Sequence, residues 1–197
     1  MRTDVNVAAI VLAAGLGSRF GDALKPLAPF RGEAMVRHVC RAALASKARP
    51  VLVVIGHRGA EVAGALEGLD VRLVESPDYA QGLSRSLQAG FAALPADASG
   101  ALILLADMPL VEATTLDALI AAFARAPVAP AVVPVHEGRR GNPALLSRAL
   151  TPEIMRLTGD HGAGGLLRGR AGVVEVEAGS GGIFVDADTP GDLAGLG

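Results

Sequence analysis

The chain has 197 residues, 51% of them apolar, and 18 Lys and Arg against 20 Asp and Glu give a formal net charge of −2. That length suits one α/β domain, 1–197, with a full core, and the near-neutral charge and 3% aromatic content exclude the basic, stacking footprint of a nucleic-acid binder. No apolar run reaches bilayer length, the first residues do not read as a signal peptide, and a single Cys suits a reducing compartment, so a cytoplasmic protein with no membrane partner is expected.

The first apolar run, Val7–Leu12, is continuous, as a strand buried on both faces should be. It empties into Leu12-Ala13-Ala14-Gly15-Leu16-Gly17-Ser18-Arg19-Phe20-Gly21, with Lys25-Pro26-Leu27 close behind. Glycines at a strand end let backbone come close to a ligand, and their N–H groups can cradle phosphate oxygens. Arg19 and Lys25 add the cations that a polyphosphate needs. The same glycines also read as plain turn residues, and the two cations favour the phosphate loop. The spacing is not the dinucleotide fingerprint, whose third glycine would fall one residue earlier, and no Gly-Lys-Ser or Gly-Lys-Thr makes a Walker A motif.

Helical stripes follow at Val36, Val39, Cys40, Ala43 and Leu44, at Leu83, Leu87, Gly90, Phe91 and Leu94, and at Leu116, Leu119, Ile120 and Phe123. Cys40 on the first stripe reads as a small core residue. Further strands are expected at 51–55, 71–75, 101–105, 131–135, 173–176 and 183–185. This alternation predicts an α/β fold: a doubly wound, mostly parallel sheet in three layers, α/β/α, with ligands beyond the carboxyl ends of the strands.

Two carboxylates occupy such ends. Asp107 follows the run at 101–105, and Pro109 then turns the chain; a lone Asp there also reads as a helix cap. Asp186 follows the run at 183–185 and precedes Asp188-Thr189-Pro190, where Asp188 braces the turn or caps the next helix. Ser84 and Ser86 stand where they could cap the helix that begins near Leu83. In Gly138-Arg139-Arg140-Gly141-Asn142-Pro143, Arg140 could hold a phosphate through a bidentate contact, or the segment is a solvated turn. The four histidines lie in no zinc-ligand spacing and receive no role, and no G-x-S-x-G elbow is present.

Leu12-Ala13-Ala14-Gly15-x-Gly17-x-Arg19-x-Gly21 with Lys25 resembles the L-A-A-G-x-[SG]-x-R-x-G-x-x-x-K signature of nucleotidyltransferases. With four further segments, spanning Val7 to Asp192, the chain resembles the molybdenum cofactor guanylyl- and cytidylyltransferases. The resemblance implies the nucleotidyltransferase type of the fold and a triphosphate held by Leu12, Ala13, Ala14, Gly15, Gly17 and Gly21. Arg19 then neutralises the leaving pyrophosphate, and Lys25 the α-phosphate and the transition state. It makes Asp107 and Asp186 the ligands of Mg²⁺, a hard ion that pairs carboxylates with substrate phosphates.

Gly82-x-Ser84-x-Ser86 resembles the base-recognition segment of the cytidylyltransferase branch, which favours CTP over GTP; a hydroxyl both donates and accepts toward a pyrimidine edge. Arg140 and Asn142 match the acceptor-side G-x-R-G-[HN]-P element, and Asp160 the G-D-x-G-A-R element, whose arginine position is Gly164 here, leaving Arg168 or Arg170 as the cation that could stand in for it. The implied reaction moves a nucleotide, CMP from CTP, onto the terminal phosphate of a small-molecule acceptor such as molybdopterin cofactor and releases pyrophosphate. A molybdoenzyme or its chaperone would be the protein partner. Two other readings stand beside it: an oxidoreductase on the same fold using a nicotinamide cofactor, and a non-catalytic nucleotide-binding accessory for molybdoenzyme maturation.

Overall fold

The apolar run Val7–Leu12 forms an interior strand, β1, and all six of its residues are buried. The computed structural model describes residues 5–15, 24–187 and 190–195. After β1 come β2 (Pro29–Phe30), β3 (Glu33–Ala34), α1 (Met35–Ala45), β4 (Val51–Ile55), α2 (Gly59–Ala65), β5 (Arg72–Glu75), α3 (Leu83–Ala92) and β6 (Gly100–Leu105). The second half adds α4 (Ala113–Arg125), β7 (Ala131–His136), β8 (Arg139–Arg140), β9 (Ala144–Ser147), α5 (Thr151–Ile154), α6 (Ala163–Leu167), β10 (Val174–Glu177) and α7 (Pro190–Gly195).

The main sheet has eight strands, seven of them in the order β10-β7-β9-β6-β1-β4-β5, with β8 paired to β7. β1 pairs in parallel with β4 and β6, β4 with β5, and β7 with β10. The expected mostly parallel, doubly wound sheet is therefore present. β9 is an addition: a four-residue strand lying antiparallel to both β6 and β7.

Alternate residues of β1 serve two cores, because successive side chains on a strand point to opposite faces. Val7, Ala9 and Val11 pack with Val36, Val39, Cys40 and Ala43 of α1 and with Leu116, Leu119 and Phe123 of α4. Ala8, Ile10 and Leu12 pack with Leu87 and Phe91 of α3 and Ile154 of α5. These contacts make the three layers, and each large side chain so buried contributes about 1.5–3 kcal/mol. Cys40 sits within the first core, as its stripe predicts, and burial pushes its thiol up to about 12.

One strand expectation fails. Residues 183–185 do not join the sheet; Gly181–Phe184 is a 3-10 turn, and the Val185 N–H bends back to the Gly182 carbonyl at 3.3 Å. Two glycines begin that segment, and the Ile183 carbonyl is taken by the Asn142 N–H at 3.0 Å, so no ladder extends through it. Among the described residues, no helix is long and apolar enough to cross a membrane.

The sheet order places the site. From β1 the chain builds outward through β4 and β5, then returns to lay β6 on the other side of β1, with Leu12 opposite Leu105 at the carboxyl ends. Such a reversal leaves a crevice beyond those ends, where ligands of open α/β sheets bind.

Candidate active site

A cleft of about 510 Å³ opens at that reversal. Its base is the continuation of β1 through Ala13, Ala14 and Gly15, beside Leu105, Ala106 and Asp107 at the end of β6. The Ala13 N–H still donates to the Val54 carbonyl at 2.9 Å, and the His57 N–H to the Ala14 carbonyl at 3.3 Å, so the loop leaves the sheet gradually. Ala13 and Ala14 are buried, and only Gly15 of this trio is exposed. Lys25 and Pro26 line one side, and Tyr79, Ala80, Gly82, Leu83 and Ser86 the other, with Asp160 also on the wall. Gly17, Arg19 and Gly21, expected in the phosphate loop, and Asp188 lie outside the described residues.

The strongest polar feature is an ion pair. The Lys25 ammonium donates to Asp107 Oδ2 at 2.6 Å, with the two side chains 16% and 22% exposed. Asp107 Oδ1 is buried and takes no hydrogen bond among the described residues. Asp107 is not the cap of α4, which starts six residues later with Glu112 as its N-cap residue. A second tether comes from the C-terminal segment, where the Ala187 N–H donates to the Asp107 carbonyl at 2.9 Å. Asp186, one residue before that bond, is exposed and follows the 3-10 turn instead of a strand. It is not among the residues lining the cleft. No group of three or more His, Cys, Asp or Glu converges among the described residues. A metal here would therefore be held by one or two carboxylates together with ligand oxygens, the manner in which Mg²⁺ is commonly bound.

The two serines separate. Both are buried, but Ser86 lines the cleft, whereas Ser84 does not and its Oγ has no hydrogen-bond partner among the described residues. Neither caps α3. Its N-cap residue is Gly82, which has no side chain to accept a cap bond; the Leu83 N–H donates to Asp160 Oδ1 at 3.3 Å and the Ser84 N–H to the Gly159 carbonyl at 3.1 Å. The reason is positional: both serines stand inside the first helical turn, past the point from which a side chain can reach back to the orphan N–H groups.

The acceptor-side residues also divide. Asp160 lines the cleft, while Arg140 and Asn142 do not. Arg140 Nε donates to Glu175 Oε1 at 2.7 Å, joining β8 to β10, and Asn142 is exposed with its N–H on the Ile183 carbonyl. Gly164, where the resemblance expects arginine, faces open space. Arg170 does not replace it, because both arms of its guanidinium are taken by Glu153 at 2.6 and 2.7 Å; that bond holds the Glu153 carboxyl below its ordinary value. Three of the histidine rings bond backbone carbonyls: His38 that of Phe30 at 2.8 Å, His136 that of Ala178 at 3.2 Å and His161 that of Thr158 at 2.9 Å.

Tyr79, the chain's single tyrosine, belongs to none of the sequence motifs and is, among the described residues, the aromatic side chain on the cleft. Its ring lies over Gly56, where a Cβ would stand 2.7 Å from the ring's Cγ. The signal available in the sequence was an aromatic in Asp78-Tyr79-Ala80-Gln81-Gly82, directly ahead of a glycine expected to touch ligand.

The family model for the MobA-like NTP transferase domain matches residues 9–176. Over 125 residues, 61% of this chain, the protein is 42% identical to the bifunctional protein GlmU of Leifsonia xyli. It spans only 25% of that relative's length. It is 28% identical to nicotine blue oxidoreductase of Paenarthrobacter nicotinovorans, with 86% of this chain and 85% of that one covered. Among solved structures, Rv0371c of Mycobacterium tuberculosis superposes with a TM-score of 0.82 at 28% identity, covering 98% of this chain and 97% of that one. A complex of Rv0371c with manganese superposes with a TM-score of 0.78 at 26% identity, covering 98% and 97%.

Proposed function

The chain belongs to the MobA-like NTP transferase family, and on that premise we propose that it transfers a nucleotide, CMP from CTP, to the terminal phosphate of an acceptor such as molybdopterin cofactor. The observation that carries this reading is the Lys25–Asp107 pair at the base of the cleft, with a buried carboxylate oxygen that no group among the described residues satisfies. An orphaned carboxylate oxygen beside an ammonium fits a site that handles both a cation and phosphate oxygens at once. Asp107 would hold Mg²⁺, with Asp186 as the second carboxylate, and the bound ion would supply neutralisation of charge on the phosphates.

The chain's own groups do the remaining work. Gly15 offers its backbone N–H to the triphosphate, and the sequence motif assigns Arg19 to the leaving pyrophosphate. Lys25, fixed by Asp107, stabilises charge that develops on the α-phosphate. An acceptor phosphate oxygen attacks the α-phosphorus, the bond to the bridging oxygen breaks, and pyrophosphate leaves with the electron pair. A phosphate nucleophile is already ionised, so no general base is required. Ser86, the serine of the Gly82-x-Ser84-x-Ser86 segment that lines the cleft, is assigned to the base, and a hydroxyl that both donates and accepts suits a pyrimidine edge such as that of CTP. The acceptor is assigned to the part of the cleft beside the turn at residues 159–162, with Arg140 and Asn142 off the cleft.

A second reading has its own support. Similarity to nicotine blue oxidoreductase over 86% of the chain favours small-molecule redox chemistry with a nicotinamide cofactor in the same cleft. Calorimetric titration with the four NTPs, with and without Mg²⁺, separates the two. The nucleotidyl-transfer reading expects CTP to bind most tightly, only with the divalent ion, and that metal-promoted binding to be lost in Asp107→Asn. Binding of NADPH without metal, with its absorbance lost on turnover and no NTP bound, would replace it with the redox reading.

A further inference from the structure

The turn at residues 159–162 is seated directly on the start of α3. Gly82 has φ +112° and ψ 173°, and a Cβ there would stand 2.4 Å from both the carbonyl carbon and oxygen of Gly159 and 2.9 Å from the Asp160 nitrogen. On the facing side, a Cβ on Gly162 would stand 2.7 Å from Leu83 Cδ2. Across this close approach run two hydrogen bonds, from the Leu83 N–H to Asp160 Oδ1 and from the Ser84 N–H to the Gly159 carbonyl. A helix start leaves its first N–H groups without intrahelical partners, and these are two of them. Asp160 thus does for α3 what an N-cap residue does, from 77 residues away in the chain.

We propose that Asp160 is a positioning residue for the nucleotide wall of the cleft and not a ligand of the acceptor. Through the Leu83 N–H it holds the stretch from Gly82 to Ser86, three of whose residues, Gly82, Leu83 and Ser86, face the cleft. The turn is packed directly on the wall, with no room for a side chain between Gly82 and Gly159. An acceptor seated against residues 159–162 would therefore be felt at the base-reading residues without touching them. The inference rests on the nucleotide-binding reading of the cleft.

Asp160→Ala and Asp160→Asn test it, since Asn caps a helix as well as Asp does but carries no charge. Two quantities are read: the amide exchange rate of Leu83 in the unliganded protein, and the dissociation constant for CTP with Mg²⁺ and no acceptor present. Loss of a cap should raise both by about two- to thirtyfold in Asp160→Ala, and Asp160→Asn should restore both. An unchanged Leu83 exchange rate in Asp160→Ala overturns the proposal, as does Asp160→Asn behaving like alanine. An unchanged CTP constant beside a raised KM for the acceptor also overturns it and returns Asp160 to the acceptor. If the wild-type protein binds no nucleotide, the nucleotide reading fails and the wall's purpose with it, while the exchange rates alone decide the cap.

Discussion

Replacing Gly82 by alanine should damage both stability and the cleft, and the structure sets the size of the effect. The new Cβ would meet the Gly159 backbone at 2.4 Å. Carbon atoms rest at about 3.5–4.0 Å, so the 159–162 turn must withdraw by roughly 1 Å. That movement breaks the 3.1 Å bond from the Ser84 N–H. The backbone at φ +112° and ψ 173° is a region almost reserved for glycine, and holding an L side chain there costs about 1–3 kcal/mol. Overpacking adds about 1–3 kcal/mol, for a total of about 2–6 kcal/mol. In a chain of this size that lowers Tm by about 5–20 °C. Gly68→Ala is the matched control: Gly68 has φ +80° with nothing within 4 Å of its would-be Cβ, so only strain of about 1–2 kcal/mol applies. Thermal unfolding and CTP titration of both variants give the comparison. A Gly82→Ala protein that melts no lower than Gly68→Ala, with wild-type CTP affinity, would refute the contact and the wall it supports.

Lys25→Ala should reduce turnover by about 10²- to 10³-fold, as loss of one preorganised transition-state donor does. It should also tighten Mn²⁺ binding by about fivefold, because a competing cation on Asp107 worth about 1 kcal/mol is removed; weaker Mn²⁺ binding would argue against Asp107 as the ligand. Tyr79→Ala should weaken CTP binding by about 5- to 100-fold if the ring stacks on the base, and Tyr79→Phe should retain it. Equal affinities in all three proteins would leave Tyr79 a packing residue for Gly56. Cys40 gives a pH effect of known sign. Its folded thiol is held up to about 12 against an ordinary 9.0, so the folded state keeps a proton that the unfolded state loses. That contribution is complete below the ordinary value and is lost as pH rises toward 12, by about 1.4 kcal/mol per pH unit. Denaturant unfolding of wild type and Cys40→Ala between pH 9 and about 11 should therefore converge with rising pH; parallel curves would contradict the burial argument.

Features with a local physical signature were legible in the sequence. β1, β4 and β6 are continuous apolar runs because both of their faces are covered, and α1, α3 and α4 carry broad stripes. Asp107 was visible because it follows such a run and precedes a proline turn. α2 was not: Gly59-Ala60-Glu61-Val62-Ala63-Gly64-Ala65 buries Val62 alone, too little for a stripe. Nor was β9, whose four residues enter antiparallel between β6 and β7, a placement fixed by partners and not by its own composition. The same holds within the site. Capping preference drew attention to Ser84 and Ser86, but the cap comes from Asp160, and no local pattern links residues 77 positions apart. Arg140 reads as a phosphate ligand by type, yet β8 and β10 bring Glu175 to it first.

The central claim, that the Lys25–Asp107 cleft transfers a nucleotide, is tested most directly by following CTP labelled at its α-phosphorus. Wild-type protein with Mg²⁺ and molybdopterin cofactor should move the label onto the acceptor with one pyrophosphate released for each transfer. Asp107→Asn, folded and otherwise intact, should do neither. Label remaining wholly in CTP with the wild-type protein, or transfer undiminished in Asp107→Asn, would contradict the account.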